Sequence, residues 1–542
     1  MSTAAEPWRL IDPSWDWSEA QARFRWQVPA HFNIAEACCD RWARMEPEKL
    51  ALTHVTEAGA RERWTYGALK AASDRLASAL AADGISSGDR VAVLLPQGPE
   101  VLITHFAAMK LGAIVLPLFT LFGRDALEYR LADSGAKILV TDPANLEKAT
   151  ALDAPLSAIY CTGPEKAAAP VRSFSEAITR AQPLRAPVNT RSDDPAVLIY
   201  TSGTTGPPKG ALHAHRFLLG HLPCMEIGHM HFPQPGAVGW TPADWAWIGG
   251  LMDMAMPCLY YGVPQVSGRM RKFDPDAAFR LIRDESLTTL FLPPTALRLM
   301  RQASVPPGLR VRSVSSGGES LGADLLEWGR AKLSAPINEL YGQTECNLVV
   351  SANPEMMRIK PGTMGRALPG HEVAIIDAEG RPLPAGQEGE IAVKAPDPVM
   401  FLGYWNQPEA TARKFVDGWL KTGDLGRMDD EGYITYGSRD DDVITSAGYR
   451  IGPTEIENCL AGHPDVLAAA VVGVPDPIRT EAVKAYVVLR EGAEWAGLEA
   501  ELIARVRRQV SAHVAPRSVE RIAEMPMTAT GKIMRRDLRA RG

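Results

Sequence analysis

The segment YTSGTTGPPKG, residues 200–210, directly follows an apolar run at 197–200. Its three glycines allow tight turns and a close approach of the backbone to a ligand. Four Ser and Thr hydroxyl groups and one Lys add hydrogen-bond donors and positive charge, a combination that suits a polyphosphate. The predicted phosphate-binding residues are Thr201, Ser202, Gly203, Thr204, Thr205, Gly206 and Lys209.

This loop differs from a Walker loop on both sides of its lysine. A Walker loop has Gly before the Lys, and it has Ser or Thr after the Lys to hold magnesium. Here Pro208 and Gly210 stand in those two places. A P-loop kinase or motor is therefore disfavoured.

Strands and helices alternate on both sides of the loop. Apolar residues from Tyr66 to Ala82 recur every three to four positions and stop before Gly84, which predicts an amphipathic helix. A second helix is predicted over 101–111, and short apolar runs predict strands at 91–95, 113–116, 138–141 and 197–200. This alternation is typical of an α/β fold with largely parallel sheets.

The two ends of the chain depart from this alternation. Aromatic residues at 8, 15, 17, 24 and 26 have no regular spacing and predict an irregular arm packed over the body of the protein. After about residue 365, short strands at 372–376 and 389–393 between Gly and Pro turns predict a small β-rich subdomain. Beyond residue 440 the sequence pattern changes again. This change predicts a division into an N-terminal domain, 1–440, and a C-terminal domain, 441–542.

The C-terminal domain has its own set of predicted elements. A helix is predicted to open at Thr454 with Glu457 three residues later, which is the spacing of a capping box. Apolar runs predict strands at 467–474 and 483–489, and an amphipathic helix follows near 498–512. Together these elements predict a compact α+β module.

Composition excludes several classes of protein. With 542 residues, 46% apolar and 23% charged, the chain has the make-up of a globular protein of more than one domain. Its 58 basic and 64 acidic residues give a net charge of −6, which argues against a nucleic-acid partner. The seven cysteines form no CxxC pair, the N-terminus lacks the character of a targeting peptide, and the apolar region 91–122 is interrupted by Pro and charged residues. These features predict a cytoplasmic protein with reduced thiols and no integral membrane segment.

Further motifs follow the loop along the chain. They are GGE at 317–319, YGQTE at 341–345, TGD at 422–424, GSRDDD at 437–442, GYRIGPTEIE at 448–457 and PMTATGK at 526–532. In type and order they resemble the motifs of AMP-forming acyl-CoA synthetases, in the adenylate-forming superfamily that includes firefly luciferase. The resemblance runs from about residue 30 to the end and is to the branch of medium-chain and acetyl-CoA synthetases. Ser438 departs from the family pattern, which has Gly immediately before the Arg of the hinge motif, here Arg439.

This resemblance implies an ATP-dependent acid–CoA ligase that uses ATP, Mg²⁺ and coenzyme A. A carboxylate and MgATP give acyl-AMP and pyrophosphate, and the thiol of coenzyme A then displaces AMP. The first step needs cations and oriented donors, because an anionic carboxylate approaches a polyphosphate while charge builds on the α-phosphoryl group. No covalent enzyme intermediate is required.

The resemblance also implies roles for individual residues. Lys532 bridges the carboxylate and the α-phosphate, Thr344 contacts the α-phosphate, and Glu345 coordinates Mg²⁺. These three are the implied catalytic residues. The implied adenine and ribose contacts are Gly317, Gly318, Glu319, Tyr341, Asp424 and Arg439, and the nucleotide site further includes Gly342, Gln343 and Arg450.

One static site can hardly serve both steps, because the thiol must enter where Lys532 was. The family solves this by rotating the C-terminal domain about a hinge, which the resemblance puts at Asp441. Gly448 then lines the pantetheine tunnel, where a side chain would obstruct passage. Trp247 is expected at the acyl pocket and tunnel, with a purely structural buried Trp as the alternative.

The expected acyl substrate depends on one position. In acetate-activating relatives a Trp immediately before QTE closes the acyl pocket, whereas this chain has Gly342. The pocket is therefore expected to be deeper than acetate needs and to take medium-length, branched or aromatic acids. The alternative is that Gly342 only satisfies a backbone turn and that Trp245 or Trp247 fills the space.

Several other functions stay open at this point. They are a short-chain (acetate or propionate) CoA ligase, a stand-alone adenylation enzyme serving a carrier protein, a luciferase-like oxygenase and a nucleotide-binding regulator. No carrier domain follows Lys532, which favours a free-standing ligase. The spacing at 526–532 resembles the family's acetylation site and implies a lysine acetyltransferase and deacetylase acting at Lys532; a homodimer is a further expectation.

Overall fold

The computed structural model describes residues 8–163, 171–201, 207–270, 273–318, 321, 323–439, 444–490, 492–526, 533 and 535–541. All elements given below lie within these ranges. The protein is a mixed α/β structure with a large N-terminal domain and a smaller C-terminal domain. This architecture confirms the predicted fold class.

The first sheet of the N-terminal domain is buried on both faces. Alternate residues of the strand Arg90–Leu94 enter two cores, one shared with the helices Tyr66–Ala82 and Pro99–Lys110 and the other with the helix Arg124–Ser134. Burial of both faces explains why these strands are continuous apolar runs. The strand order is Gly403–Tyr404, Lys209–Ala214, Pro195–Thr201, Ile114–Pro117, Arg90–Leu94, Ile138–Thr141, Ala158–Cys161 and Val171–Ser173. The pairs are parallel except those that Lys209–Ala214 makes with its two neighbours.

The second sheet is parallel at its centre and antiparallel at its ends. Its strand order is Arg366–Ala367, Asn347–Ser351, Ile337–Gln343, Ser313–Gly317, Thr289–Phe291, Gly239–Trp240, Gln265–Gly268, Leu50–Val55 and Arg61–Thr65. The parallel centre brings the carboxyl ends of neighbouring strands to one edge. Ligands of open α/β sheets bind at such an edge.

Two smaller sheets complete the fold. The β-rich subdomain is antiparallel, with the order Val373–Ile376, Glu388–Lys394, Trp419–Met428 and Phe415–Val416, and Ile434–Arg439 pairs with Trp419–Met428. The C-terminal sheet has the order Tyr449–Ile451, Ile444–Ser446, Thr480–Leu489 and Val466–Asp476, and Ser518–Arg521 runs parallel to Thr480–Leu489. Residues from Ile444 to Val519 form a separate apolar core in this C-terminal domain.

Helices cover the sheets and connect their strands. Besides the three named above, the N-terminal α-helices are Trp17–Arg23, Arg41–Met45, Leu146–Thr150, Phe174–Arg180, Phe217–Gly228, Ile248–Gly250, Met256–Tyr261, Pro275–Asp284, Pro294–Gln302, Ala323–Trp328 and Pro408–Ala412. Segments of π-helix occupy Glu36–Asp40, Leu251–Ala255 and Gly329–Leu333, and the C-terminal helices are Pro453–Ala461, Leu498–Gln509 and Arg535–Arg539. Among the described residues, no helix has both the length and the apolar character needed to cross a membrane.

Most predicted elements agree with the structure. The helix Tyr66–Ala82 and the strand Ile138–Thr141 have the predicted bounds, and the other predicted elements differ by a few residues at their ends. All seven cysteines are buried and free, as expected for reduced thiols.

The predicted irregular arm is partly wrong. Trp17–Arg23 is a short helix whose N-terminus has a capping box formed by Asp16 and Glu19. Trp17 and Phe24 are buried in the main core, so the arm does pack over the body of the protein. Helical order therefore begins earlier than the spacing of the aromatic residues indicated.

The predicted capping box in the C-terminal domain is also wrong. Its helix begins at Pro453, one residue before Thr454. The Glu457 carboxylate instead accepts a hydrogen bond from the Val471 amide at 2.8 Å and pairs with Arg535 at 2.9 Å. Tertiary contacts thus use the carboxylate that a local cap would need.

Candidate active site

A cavity of about 840 Å³ lies at the carboxyl ends of strands from both large sheets. Phe291, Gly317 and Gln343 end three strands of the second sheet, and Thr201 ends a strand of the first; all four line the cavity. The C-terminal domain contributes residues 446–449 to its wall. The fold therefore brings both domains to one site.

The two stems of the predicted phosphate loop lie at this cavity. Thr201 and Lys209 are opposite each other in the antiparallel hairpin, with Thr201 Oγ1 3.4 Å from the Lys209 carbonyl oxygen. Both residues line the cavity, and Lys209 Nζ lies 5.3 Å from the centre of the Tyr404 ring. The hairpin thus presents a hydroxyl group and a cation to the site. Residues Ser202 to Gly206 lie outside the described residues.

Thr344 and Glu345 line the same part of the cavity. The Glu345 carboxylate is 7% exposed and accepts a hydrogen bond from the Tyr404 hydroxyl at 2.5 Å. A carboxylate and a hydroxyl oxygen beside a phosphate-binding loop are the ligands that Mg²⁺ prefers when it accompanies a nucleotide. The donor set therefore fits Mg²⁺ at Glu345.

Tyr341 and Asp424 form a buried polar pair next to the cavity. Tyr341 Oη donates to Asp424 Oδ2 at 2.9 Å, and Gln343 Nε2 donates to the same oxygen at 3.0 Å. Burial raises the pKa of Tyr341 well above its ordinary value, so its hydroxyl remains a donor. Asp424 also lies opposite Arg439 in the antiparallel register. The pair is behind the lining residues Gln343 and Gly423 rather than among them.

Gly448 reaches the cavity from the C-terminal domain. Its φ of +79° is in the left-handed region, and a Cβ there would lie 3.3 Å from Pro293 Cβ. A Cβ on Gly318, whose φ is +94°, would lie 3.6 Å from the Gly448 carbonyl oxygen. The Gly448 loop is therefore packed against the strand end at Gly317 and Gly318, both of which line the cavity.

Trp247 belongs to an aromatic cluster that joins the two domains. Its ring centre lies 5.7 Å from that of Phe119, 5.5 Å from Tyr449 and 5.9 Å from His513. Burial lowers the pKa of His513 to about 3, so this imidazole is neutral at physiological pH. Trp247 lines the cavity, whereas Trp245 is buried in the main core. Trp247 is thus a cavity wall as well as a domain contact.

A backbone contact also holds the domains together. The Gly123 amide donates to the Val510 carbonyl oxygen, and Phe122 forms an antiparallel bridge with Ser511. A Cβ on Gly123 would lie 2.0 Å from the Arg508 carbonyl oxygen. Only glycine fits this contact without a shift of the backbone.

The missing side chain at Gly342 does not deepen the acyl pocket, so the expectation from sequence is corrected. A Cβ there would lie 1.4 Å from the Asn347 carbonyl oxygen and 2.9 Å from Leu348 Cα. The missing side chain points at the neighbouring antiparallel strand, at a register irregularity after Tyr341. A Trp at 342 would collide with that backbone, so the structure favours the backbone-turn alternative. Gly342 itself still lines the cavity.

Several residues of the predicted site lie outside the described residues. They are Ser202 to Gly206, Glu319, the hinge Asp441 and Lys532. Arg439 and Arg450 are described only as backbone positions in the strands Ile434–Arg439 and Tyr449–Ile451. The roles of these side chains stay predictions.

Further charged side chains that were not predicted as site residues line the cavity, among them Lys414, Arg479, Arg517 and Asp253. Lys414 Nζ lies 3.4 Å from Gln343 Oε1, and Arg479 and Arg517 come from the C-terminal domain. Burial and the positive charge of Arg479 lower the pKa of Arg517. Asp253 follows Trp247 along the helical segment that begins at Ile248. They come from separate elements, so no local sequence pattern marks them.

Comparison with known proteins identifies the family. The model of the AMP-binding enzyme family matches residues 39–405, and the model of the AMP-binding enzyme C-terminal domain matches residues 455–532. The acetyl-coenzyme A synthetase of Bacillus subtilis (strain 168) is 33% identical over 97% of this chain and 93% of its own length. The mitochondrial acyl-coenzyme A synthetase ACSM2 of Rattus norvegicus is 34% identical over 95% of this chain and 92% of its own length.

A solved structure agrees with these sequence relatives. The crystal structure of the Brucella canis acyl-CoA synthetase superposes with a TM-score of 0.71 at 35% identity, and the match covers 97% of both chains. The family models, the relatives and the shared fold together cover nearly the whole sequence. The chain therefore belongs to the AMP-binding enzyme family, as an adenylate-forming acyl-CoA synthetase that uses ATP, Mg²⁺ and coenzyme A.

Proposed function

We propose that this acid–CoA ligase acts on a medium-length, branched or aromatic carboxylic acid rather than on acetate. The observation that carries the proposal is the apolar part of the cavity, which is lined by Trp247, Ile248, Phe291 and Leu348. Gly249 also lines the cavity and contributes no side chain to this part. Each further buried methylene is worth roughly 0.8 kcal/mol, or about fourfold in affinity.

In the first half-reaction the polar part of the cavity would bind MgATP. We assign Lys209 and its loop to the phosphates that leave as pyrophosphate, and Thr344 to the α-phosphate. Glu345 would hold Mg²⁺, which when bound would supply positive charge that offsets the repulsion between the acid and the polyphosphate. Lys532 is our candidate for the cation that bridges the carboxylate and the α-phosphate, and Lys414 adds charge on the side of Gln343.

The arrangement of the two domains supports the assignment of this conformation to the second half-reaction. The Gly448 loop and Tyr449 line the cavity, and the resemblance to the family puts this loop at the pantetheine tunnel. The resemblance to the family puts Lys532 at the site in the other orientation of a C-terminal domain, 441–542, which rotates against the N-terminal domain, 1–440. We propose Asp441 as the hinge of that rotation.

Arg479 and Arg517 are our candidates for the phosphate groups of coenzyme A. Both line the cavity from the C-terminal domain, and the pKa of Arg517 is lowered by burial and by the charge of Arg479. Two neighbouring cations favour an anionic ligand between them, because a negative charge there offsets their repulsion. Their position in the C-terminal domain matches a ligand needed in only one half-reaction.

A panel of acids tests the substrate class. Coenzyme A-dependent release of AMP is measured with acetate, propionate, butyrate, hexanoate, octanoate, isobutyrate and benzoate. We expect kcat/KM to rise from acetate towards the larger acids. A preference for acetate over butyrate and all longer acids would support the short-chain alternative instead. Acid-dependent pyrophosphate exchange without transfer to coenzyme A would support an enzyme that serves a carrier protein.

Further expectations about the cell stay predictions. Acetylation of Lys532 by a lysine acetyltransferase would remove the cation proposed for the first step. Mass spectrometry of the protein after incubation with a cognate acetyltransferase tests this modification. A homodimer and a cytoplasmic location are likewise predictions, which sedimentation and cell fractionation would examine.

A further inference from the structure

Asp253 places a carboxylate in the wall of the apolar part of the cavity. It lies in the π-helical segment Leu251–Ala255, lines the cavity and is 6% exposed. Its neighbours along the chain, Met252 and Met254, are buried apolar residues of the main core. A charged group among such residues is costly unless it has hydrogen-bond partners.

One oxygen of this carboxylate lies beside a buried imidazole. His221 Nε2, on the helix Phe217–Gly228, lies 3.2 Å from Asp253 Oδ1, and both side chains are almost fully buried. Burial raises the pKa of the Asp253 carboxyl, and His221 acts in the opposite direction. In either protonation state the carboxyl group keeps an oxygen that can accept a hydrogen bond.

The second oxygen lies on the side of Gly249, which also lines the cavity. A Cβ on Gly249 would lie 3.5 Å from Asp253 Oδ2 and 3.2 Å from Phe291 Cε1. Since glycine has no side chain, it leaves the approach from the cavity to Oδ2 open. The glycine and the acid, four residues apart on one face of the helical segment, thus form a polar spot beside the apolar side chains of Ile248 and Phe291.

We propose that Asp253 selects carboxylic acids that carry a hydroxyl group at the end far from the reacting carboxylate, with that hydroxyl donating to Asp253 Oδ2. The inference rests on the proposed function, because it specifies the acid that the same cavity activates. A neutral donor suits the site better than an ammonium group, since a second charge among apolar residues is costly to bury. A medium-length or aromatic hydroxy acid combines this donor with the apolar surface that the rest of the wall requires.

Matched pairs of acids test the selection. The kcat/KM for coenzyme A-dependent AMP release is compared for hexanoate with 6-hydroxyhexanoate, and for benzoate with 3- and 4-hydroxybenzoate. In the wild-type enzyme at least one hydroxylated acid should exceed its parent by about tenfold or more, because the parent leaves the buried polar group unpaired. Asp253→Leu should reverse this ratio in favour of the parent, and Asp253→Asn, which keeps an acceptor oxygen, should give an intermediate ratio.

Two further variants separate recognition from a general structural effect. Met254→Leu alters the neighbouring core residue, which is not among the cavity-lining residues, and should keep the wild-type ratio. Gly249→Ala should reduce kcat/KM for the hydroxylated acid more than for its parent, because its methyl group comes between the cavity and Oδ2. The Gly249→Ala variant also tests the proposal if Asp253→Leu fails to fold.

The outcomes are distinguishable. A wild-type enzyme that is active but prefers the parent acid in every pair overturns the role of Asp253 and leaves the ligase function intact. The role of Asp253 is also overturned if Asp253→Leu and Gly249→Ala both keep the wild-type ratio. If no acid of either kind gives coenzyme A-dependent AMP release, the proposed function fails and the inference fails with it.

Discussion

The ring of Trp247, in the N-terminal domain, lies 5.5 Å from the ring of Tyr449, in the C-terminal domain, with an angle of 65° between their planes. Edge-to-face pairs of this kind are favourable beyond the area they bury. Both residues line the same cavity, so the same two side chains form part of its wall and part of the contact between the domains. If the C-terminal domain rotates during the reaction, this contact exists in only one of the two orientations.

Replacing Tyr449 by Ala should therefore impair the second half-reaction selectively. Tyr449 also contacts Phe119 and His513, and aromatic pairs contribute about 0.5–1.5 kcal/mol each, so a loss of roughly tenfold or more is expected. Pyrophosphate exchange should stay near the wild-type rate. Leu467→Ala, at an exposed position of the same domain, is the control. Equal losses in both half-reactions would show that the aromatic cluster around Tyr449 does not act in only one orientation of the C-terminal domain.

Tyr404→Phe should weaken the proposed Mg²⁺ site. The tyrosine hydroxyl donates to Glu345 Oε1 at 2.5 Å, and its loss removes one of the groups that orient the carboxylate. Removing a partner that orients a metal ligand typically costs about 10- to 100-fold in metal affinity. The measurement is the Mg²⁺ concentration that gives half-maximal pyrophosphate exchange. Tyr433→Phe, which loses a hydrogen bond to the Arg358 carbonyl oxygen, should leave that concentration unchanged.

Gly342→Ala should destabilise the protein severely. The added methyl group would lie 1.4 Å from the Asn347 carbonyl oxygen, and a fixed strand cannot move aside for it. Overpacking of this kind costs about 1–3 kcal/mol or more. Thermal unfolding is compared with that of Gly98→Ala, where the nearest atom is the flexible end of Glu100 at 3.2 Å. Similar melting temperatures for the two variants would contradict the structure at 342.

Lys532→Ala should abolish adenylation but largely preserve thioester formation from supplied acyl-AMP. The reason is that the lysine is proposed to act in only one orientation of the C-terminal domain. Pyrophosphate exchange and single-turnover thioester formation are measured separately, with the exposed Arg541→Ala as the control. A folded variant that loses both activities equally would refute the assigned role.

Asp441→Pro tests the hinge. Proline fixes φ near −65° and restricts rotation at this position. We expect adenylation to remain and thioester formation to fall, because only the second step needs the rotated domain. Unimpaired overall turnover would place the hinge elsewhere in the chain.

The fold could be predicted largely from the sequence, because its strands and helices have strong periodic signals. The helix Tyr66–Ala82 and the strand Ile138–Thr141 have the same bounds in sequence and structure. The capping box at Thr454 and Glu457 failed for a physical reason. The Glu457 carboxylate binds the Val471 amide and the Arg535 side chain, which are distant in sequence. The local spacing of residues carries no information about such partners.

The candidate site shows the same limit. The motif residues Lys209, Thr344 and Glu345 are identifiable from sequence, and the structure brings them to one cavity. Asp253 is not identifiable from sequence, because it lies in a run of apolar residues and comes to the cavity wall only through tertiary packing. The direction of the missing side chain at Gly342 likewise depends on a neighbouring strand. Such properties arise from pairing and packing rather than from the order of residues.

The docking contact at Gly123 has a consequence for the exchange of domains between relatives. Here main chain meets main chain, since the Gly123 amide binds the Val510 carbonyl oxygen and no side chain intervenes. A contact of this type is indifferent to the side chains that a foreign C-terminal domain carries on its facing helix end. Hybrid enzymes that join this N-terminal domain to the C-terminal domain of a relative should therefore keep this backbone contact, provided that residue 123 stays a glycine and that the aromatic side chains at 449 and 513 are retained.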